Sequence, residues 1–342
     1  MRPGGLLDAR GEALDTAALM EMVREADYLL IGETHANPCN HAAAAQILSG
    51  LIAAGIPFDL GLEMLPREQQ SFLDAQPSRA KLMELWEKHW GYPFALYAPI
   101  FDAILGHEIR LLALNVSWQT AQAFRDGRIS PEHPALPRAI IPPCPDQIQT
   151  LQRQFTLHQE MRDHHGPNFD SFIQVQSLWD STMAETAISW HRQTQRLVVI
   201  IAGSGHVEHG WGIPYRIQQM DSTARMVAIL PWRSAESRED AQSSCTPSLR
   251  TIFFSCPTIQ RSRLGMALRF EAEGIWIDAI DPGSRAEAAG LQPGDRILEA
   301  AGRPVFSAED LHAAAMEAGK SQTPLTLQVE RDGQKFTLTI PR

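Results

Sequence analysis

The sequence predicts an α/β protein with a mostly parallel sheet and helices on both faces, followed by a smaller β-rich domain. Three observations carry this. Apolar runs that read as buried strands alternate with amphipathic stretches over residues 1–232. Two of those runs end in glycine with histidine three residues on, Gly32-Glu33-Thr34-His35 and Gly203-Ser204-Gly205-His206. Beyond residue 258 the rhythm changes to short strands and turn clusters.

The elements follow in order. Residues 27–31 form the first strand, and Asn37-Pro38 opens a helix, with a capping side chain and a proline whose missing N–H costs nothing there. The alanine-rich residues 41–54 continue it. Residues 58–62 and 109–114 are the next strands. Between them Trp86, Trp90, Phe94, Tyr97 and Phe101 follow helical spacing and read first as core packing. Prolines between 131 and 167 interrupt the chain around helical patches at about 146–165 and 169–194, and His164-His165 read as a solvated helix end. Residues 197–202 and 225–230 complete the sheet. The polar residues 233–258 are expected to be a linker, leaving 259–342 as the second domain.

Composition excludes some functions. The 342 residues carry 30 Lys+Arg against 40 Asp+Glu, a net charge of −10, which argues against nucleic acid as a partner. No apolar run approaches the about 20 residues that a membrane helix needs. Met1 to Gly5 offer no apolar signal core, so the chain reads as cytoplasmic or as the processed form of an exported protein. Cys39, Cys144, Cys245 and Cys256 show no CxxC spacing, which disfavours a structural zinc. Unpaired thiols are the expectation, with a Cys245–Cys256 loop as the alternative under oxidising conditions.

The chemistry gathers at the strand ends. Open α/β sheets bind ligands outside the carboxyl ends of their strands. There the chain delivers Glu33 and His35, Glu63, Asn115, and His206 with His209 close behind, while His41 lies in the first turn of the Asn37-Pro38 helix. Two carboxylates and two or three imidazoles on one rim suit a divalent transition metal held by Glu33, His35, Glu63 and His206, or acid–base chemistry without metal.

Two resemblances extend this reading. Residues 259–342, with Pro282-Gly283-Ser284, Gly290-Leu291-Gln292-Pro293-Gly294-Asp295 and a helix at 308–318, resemble a bacterial PDZ domain. The resemblance implies a peptide-carboxylate loop at Leu264-Gly265-Met266, beside a sheet edge able to accept an added strand from a polypeptide terminus or membrane-protein partner.

The first domain carries Gly32-Glu33-Thr34-His35-Ala36-Asn37 with His41, then Gly61-Leu62-Glu63-Met64, and Tyr97 before Ala113-Leu114-Asn115. Gln176-x-x-Trp179-Asp180-x-x-Met183-Ala184 and Gly203-Ser204-Gly205-His206-Val207 complete the ordered set, which resembles the ChaN-like family of haem-binding proteins over about residues 5–232. That resemblance implies haem carriage in iron acquisition at the bacterial envelope, with haem held between two copies. It implies Tyr97 as axial ligand, with His206, His209 and His41 near the cofactor. The wider superfamily includes Tiki-type metal-dependent proteases and erythromycin esterase-like enzymes. It therefore also implies a hydrolase in which Glu33, His35, Glu63 and His206 are catalytic and the PDZ domain tethers substrate. Family members are usually lipoproteins, but no lipobox cysteine precedes this domain, and Ser204 stands where asparagine is common.

Overall fold

The computed structural model describes residues 4–160, 168–232, 245, 247–256, 258–262, 264–271, 274–305, 310, 311, 314, 315, 318 and 323–340. The chain divides into two units, Met1–Cys256 and Pro257–Arg342. The first runs β1 (Leu6–Leu7), α1 (Thr16–Arg24), β2 (Tyr28–Glu33), α2 (Pro38–Ala53), β3 (Phe58–Pro66), α3 (Gln70–Asp74), α4 (Arg79–His89), α5 (Phe94–Ile104) and β4 (Leu111–Asn115). It continues with α6 (Trp118–Arg125), α7 (Pro145–Glu160), α8 (Phe169–Thr194), β5 (Leu197–Gly203), α9 (Ile213–Met220), β6 (Met226–Pro231) and β7 (Leu249–Phe254). His164-His165 lie outside the described residues.

Neighbouring strands follow the order β1-β7-β6-β2-β5-β3-β4, and every pair is parallel except β1 with β7. Alternation along doubly buried strands builds the three layers. Leu29, Ile31, Leu60, Leu62, Val199 and Ile201 pack on one side with α1, α2, α4 and α5. Tyr28, Leu30, Leu112, Leu114, Val198 and Ile200 pack on the other with α8 and α9. A strand with apolar neighbours on both faces has no use for a polar stripe, so these strands read as unbroken apolar runs.

The connections place the site. From β2 the chain crosses by way of α2 on one face towards β3, whereas from β5 it crosses by way of α9 on the opposite face to β6, on the far side of β2. The adjacent strands β2 and β5, whose connections run in opposite directions on opposite faces, therefore form the switch point, and ligands bind outside the carboxyl ends of such strands. Glu33 and Gly203 are the last residues of these two strands.

Two expectations are corrected. Residues 249–254, inside the stretch expected to be linker, form β7, because Ile252 and Phe254 bury into the sheet's core while the backbone pairs with β6 and β1. The cysteines are paired rather than free, as Cys39–Cys256 and Cys144–Cys245, not as a Cys245–Cys256 loop. Partners 217 and 101 residues apart are brought together only by the fold.

The second unit is an antiparallel sheet of β8 (Thr258–Arg261), β9 (Met266–Glu271), β10 (Gly274–Ile280), β11 (Arg296–Ala300), β12 (Arg303–Pro304), β13 (Leu325–Arg331) and β14 (Gln334–Ile340), with α10 (Arg285–Ala288). Its core holds Met266, Leu268, Ile275, Ile277, Ile297, Leu327 and Val329. The Pro293-Gly294-Asp295 turn is tied down by buried Asp295, which takes Arg331 in two bonds of 2.6 and 2.8 Å. Of the helix expected at 308–318, residues 310, 311, 314, 315 and 318 are described, and they are helical; the others lie outside the described residues.

The Leu264-Gly265-Met266 loop turns at Gly265, whose φ of +84° favours glycine, and its Leu264 carbonyl accepts the Ala286 N–H at 2.9 Å. The strand after the loop, β9, pairs with β10 on one side and with β8 on the other, so β8 is the outer strand at this end of the sheet among the described residues.

Candidate functional site

Four residues distant in sequence meet at the β2/β5 switch point. Glu33 follows Leu29 and Ile31 onto the α2/α5 side and is buried. Its Oε1 is in direct contact with His35 Nδ1, and its Oε2 lies 3.1 Å from Nε2 of His41 on α2. Tyr97 on α5 donates its hydroxyl to Glu33 Oε1 at 3.3 Å. The loop that presents both histidines is fixed by asparagines. Asn37 caps α2 by accepting the Cys39 N–H at 3.0 Å, and the Asn40 side chain accepts the Thr34 N–H at 2.9 Å.

Glu63 enters from β3, where the pairing with β4 slips between Leu62 and Pro66, an irregularity of the kind that re-aims side chains. Glu63 Oε2 accepts the Gly203 N–H at 2.6 Å, and Oε1 lies 3.4 Å from His206 Nε2. The other nitrogen of His206, Nδ1, is 2.6 Å from Asp180 Oδ1 on α8. Asp180 in turn faces the buried Arg216 of α9 at 3.5 Å, and Arg216 also donates to Gln147 at 2.6 Å. Gly203 has to be glycine: a Cβ there would stand 2.9 Å from the His35 ring and 3.6 Å from Glu63 Oε2. The bare backbone at Gly203 leaves room for the His35 ring and the Glu63 carboxylate beside it.

Burial opposes ionisation throughout the cluster, and the partners outweigh it. Desolvation works to raise the Glu33 carboxyl, yet the hydrogen bonds and charges of His35 and His41 hold it below the ordinary carboxylate range. Glu63 is likewise opposed by burial but drawn down to about 2 by His206, His35 and the Gly203 N–H. Burial disfavours charge on His206, and Glu63 and Asp180 nevertheless lift it well above the usual histidine value. His35 is raised in the same sense, burial being overcome by Glu33 and Glu63. The His35 and His206 side chains, 28% and 12% exposed, are the faces of the cluster that solvent reaches. The carboxylates beneath them favour the protonated form of both imidazoles.

Glu33, His35, Glu63 and His206 lie together in one cluster at the strand ends. They do not form the expected metal site. Among the described residues no group of three or more His, Cys, Asp or Glu side chains is placed to hold a metal ion. Both Glu33 oxygens are occupied by imidazoles, and Glu63 Oε2 by a backbone N–H. His41 is fully buried beneath Glu33, so it does not face a cofactor. His209 sits in the turn before α9 with a left-handed backbone (φ 57°), its ring stacked on Trp211 at 4.4 Å. Asn115 accepts the Val116 N–H at 2.9 Å and serves the turn after β4.

Tyr97, expected as the iron ligand, is turned inward to Glu33. Its ring is fully buried between Trp86 and His41, with centroids at 4.6 and 3.9 Å. Burial, and after it the Glu33 charge, pushes its phenol far above the ordinary value. Tyr92, in the turn before α5, is not among the residues the sequence singles out. It is 36% exposed, 5.4 Å from the His35 ring and 5.8 Å from Trp90, and its carbonyl is pinned by the Trp86 indole N–H at 2.9 Å. Asp180 lay within a quoted motif but with no role, and nothing in a short helix marks Arg216 as buried.

An open, mostly parallel sheet with a carboxylate–imidazole cluster at its switch point, fused to a second antiparallel unit, defines a two-domain ligand-binding protein. Residues 19–217 match the family described as haem-binding uptake, Tiki superfamily, ChaN, and residues 262–341 match the PDZ domain. The chain belongs to the ChaN-like haem-binding family and carries a PDZ domain at its C-terminal side. The first unit shares its fold with a structure described as cofacial heme binding to ChaN of Campylobacter jejuni, at 18% identity and a TM-score of 0.57, covering 73% of this chain and 96% of that one.

Two curated relatives match shorter stretches. Whirlin of Rattus norvegicus is 45% identical over 74 residues, 21% of this chain and 8% of that protein. The magnetosome formation protease MamE of Paramagnetospirillum magneticum is 39% identical over 69 residues, 20% of this chain and 10% of that protein. The chain thus spans a tenth or less of the length of these relatives.

Proposed function

We propose that the first domain carries haem at the β2/β5 cleft in iron or haem acquisition, and that the PDZ domain recruits a polypeptide partner. One observation carries the reading: an exposed tyrosine, Tyr92, leans with Trp90 on His35 at the mouth of the strand-end cluster. Phenolate oxygen is a hard anionic donor suited to ferric iron, and flanking indoles suit the apolar faces of a porphyrin. Tyr92 would hold the iron, while His35 and His206 would offer protonated imidazoles to anionic groups or bound water. The paired cysteines support an oxidising compartment such as the bacterial envelope. The cofacial haem binding described for ChaN of Campylobacter jejuni suggests that two copies of this chain meet on haem.

Haemin titrated into the full chain should give a saturable, shifted Soret band. Tyr92→Phe should weaken it about tenfold or more, the loss of one ligand bond being worth at least about 1.4 kcal/mol, while Tyr97→Phe should leave the band in place. Absence of a saturable band overturns haem carriage, and loss in Tyr97→Phe alone overturns Tyr92 as the ligand. For the second domain, peptides ending in a free apolar C-terminal residue should bind about tenfold more tightly than their C-terminal amides. Equal binding of acid and amide, measured by fluorescence polarisation, would remove the carboxylate loop from the reading.

A further inference from the structure

The His206 side of the cleft carries a second aromatic pair. Trp179, one residue before Asp180 on α8, lies edge-on to His206 with ring centroids 6.4 Å apart, and Trp118 stands 6.0 Å from Trp179. Trp118 is 56% exposed, so burial does not account for it. It is nonetheless held in place. Ser117 caps α6 by accepting the Thr120 N–H at 3.1 Å, the two hydroxyls are 2.8 Å apart, and Thr120 donates to Glu68 at 2.9 Å. Trp118 occupies the first helical position between these anchors. A large aromatic side chain that stays in water on a backbone braced by several hydrogen bonds is preorganised for contact with something outside the fold.

We propose that Trp118, backed by Trp179, is a stacking platform that selects a flat macrocyclic ligand in the cleft, acting on the porphyrin ring rather than on its metal. The proposal rests on the haem reading above. Continuity supports this occupant: the ring series Trp118, Trp179, His206 leads directly to Glu63 and the strand-end cluster. Trp90 and Tyr92 stand beside His35 on the other half of the same cluster. Aromatic walls flanking a polar floor fit a ligand with two apolar faces and a polar perimeter better than they fit a compact ion.

The test compares haemin with iron-free protoporphyrin IX on the full chain, read by absorbance and by tryptophan quenching. Trp118→Ala should weaken both ligands by similar factors, up to about tenfold as stacking contacts allow, and Trp118→Phe should restore most of the loss. Thermal unfolding should be unchanged, because an exposed ring contributes little to the fold. Unchanged affinity in Trp118→Ala overturns the platform while leaving haem carriage intact. Weakening confined to haemin overturns it as well, since that dependence would run through iron. A wild-type chain that binds neither ligand overturns both readings.

Discussion

Glu33→Ala is expected to cost about 3–5 kcal/mol of folding stability, the range for breaking a buried charged pair, and to abolish ligand binding at the cleft. The carboxylate is the shared acceptor for His35, His41 and Tyr97. Removing it leaves the Tyr97 hydroxyl buried with no acceptor, and it leaves His41, whose Nδ1 is already buried without a hydrogen bond, with no partner at Nε2 either. Glu33→Gln keeps the shape and one acceptor oxygen, so its cost should be smaller. Urea unfolding followed by tryptophan fluorescence reads this directly, because every tryptophan except Trp276 belongs to the first unit. A loss below about 1 kcal/mol, typical of an ordinary single hydrogen bond, would show that Glu33 is not the hub of the cluster.

The second large effect is on acid stability. Glu63 is drawn from an ordinary value of 4.5 to about 2 in the folded protein. A depressed carboxyl stabilises the fold fully above its unfolded value, and the contribution is lost as pH falls through the folded one. The shift corresponds to something on the order of 3 kcal/mol. His206 runs the other way: its raised value stabilises fully below the ordinary 6.5 and fades only as pH climbs through the elevated folded value. The pair is therefore at full strength between about pH 4.5 and 6.5. Wild-type stability should drop more steeply than that of Glu63→Gln between pH 4.5 and 2. Parallel acid limbs for the two proteins would mean that the Glu63–His206 pairing is not what holds this side of the cleft.

The sheet was legible because its strands are doubly buried. Residues such as Leu197 to Ala202 admit few alternatives, and a glycine at each strand end marks where the backbone must pass a neighbour closely. The convergence of Glu33, His35, Glu63 and His206 followed from topology alone, since parallel strands bring their carboxyl ends to one edge. Side-chain orientation beyond the strands did not follow. Tyr97 and Tyr92 are five residues apart with similar neighbours, but α5 turns the first inward to Glu33, and the turn before that helix leaves the second in water. Arg216 was invisible for a related reason. A helical arginine is normally solvated, and only the approach of Asp180, Gln147 and the Ile141 carbonyl gives it buried partners. β7 escaped notice because its apolar residues sit next to a serine-rich run, and the cysteine pairs because proximity in space leaves no local mark.

The short strand β8 has a bearing on how the second domain greets a visitor. Residues 258–261 already satisfy the backbone of β9 over residues 267–270, immediately ahead of the loop that would grip a chain end. Any guest that lengthens this sheet at β9 must first evict a host segment, so its apparent affinity is scaled down by the fraction of molecules whose own segment has left.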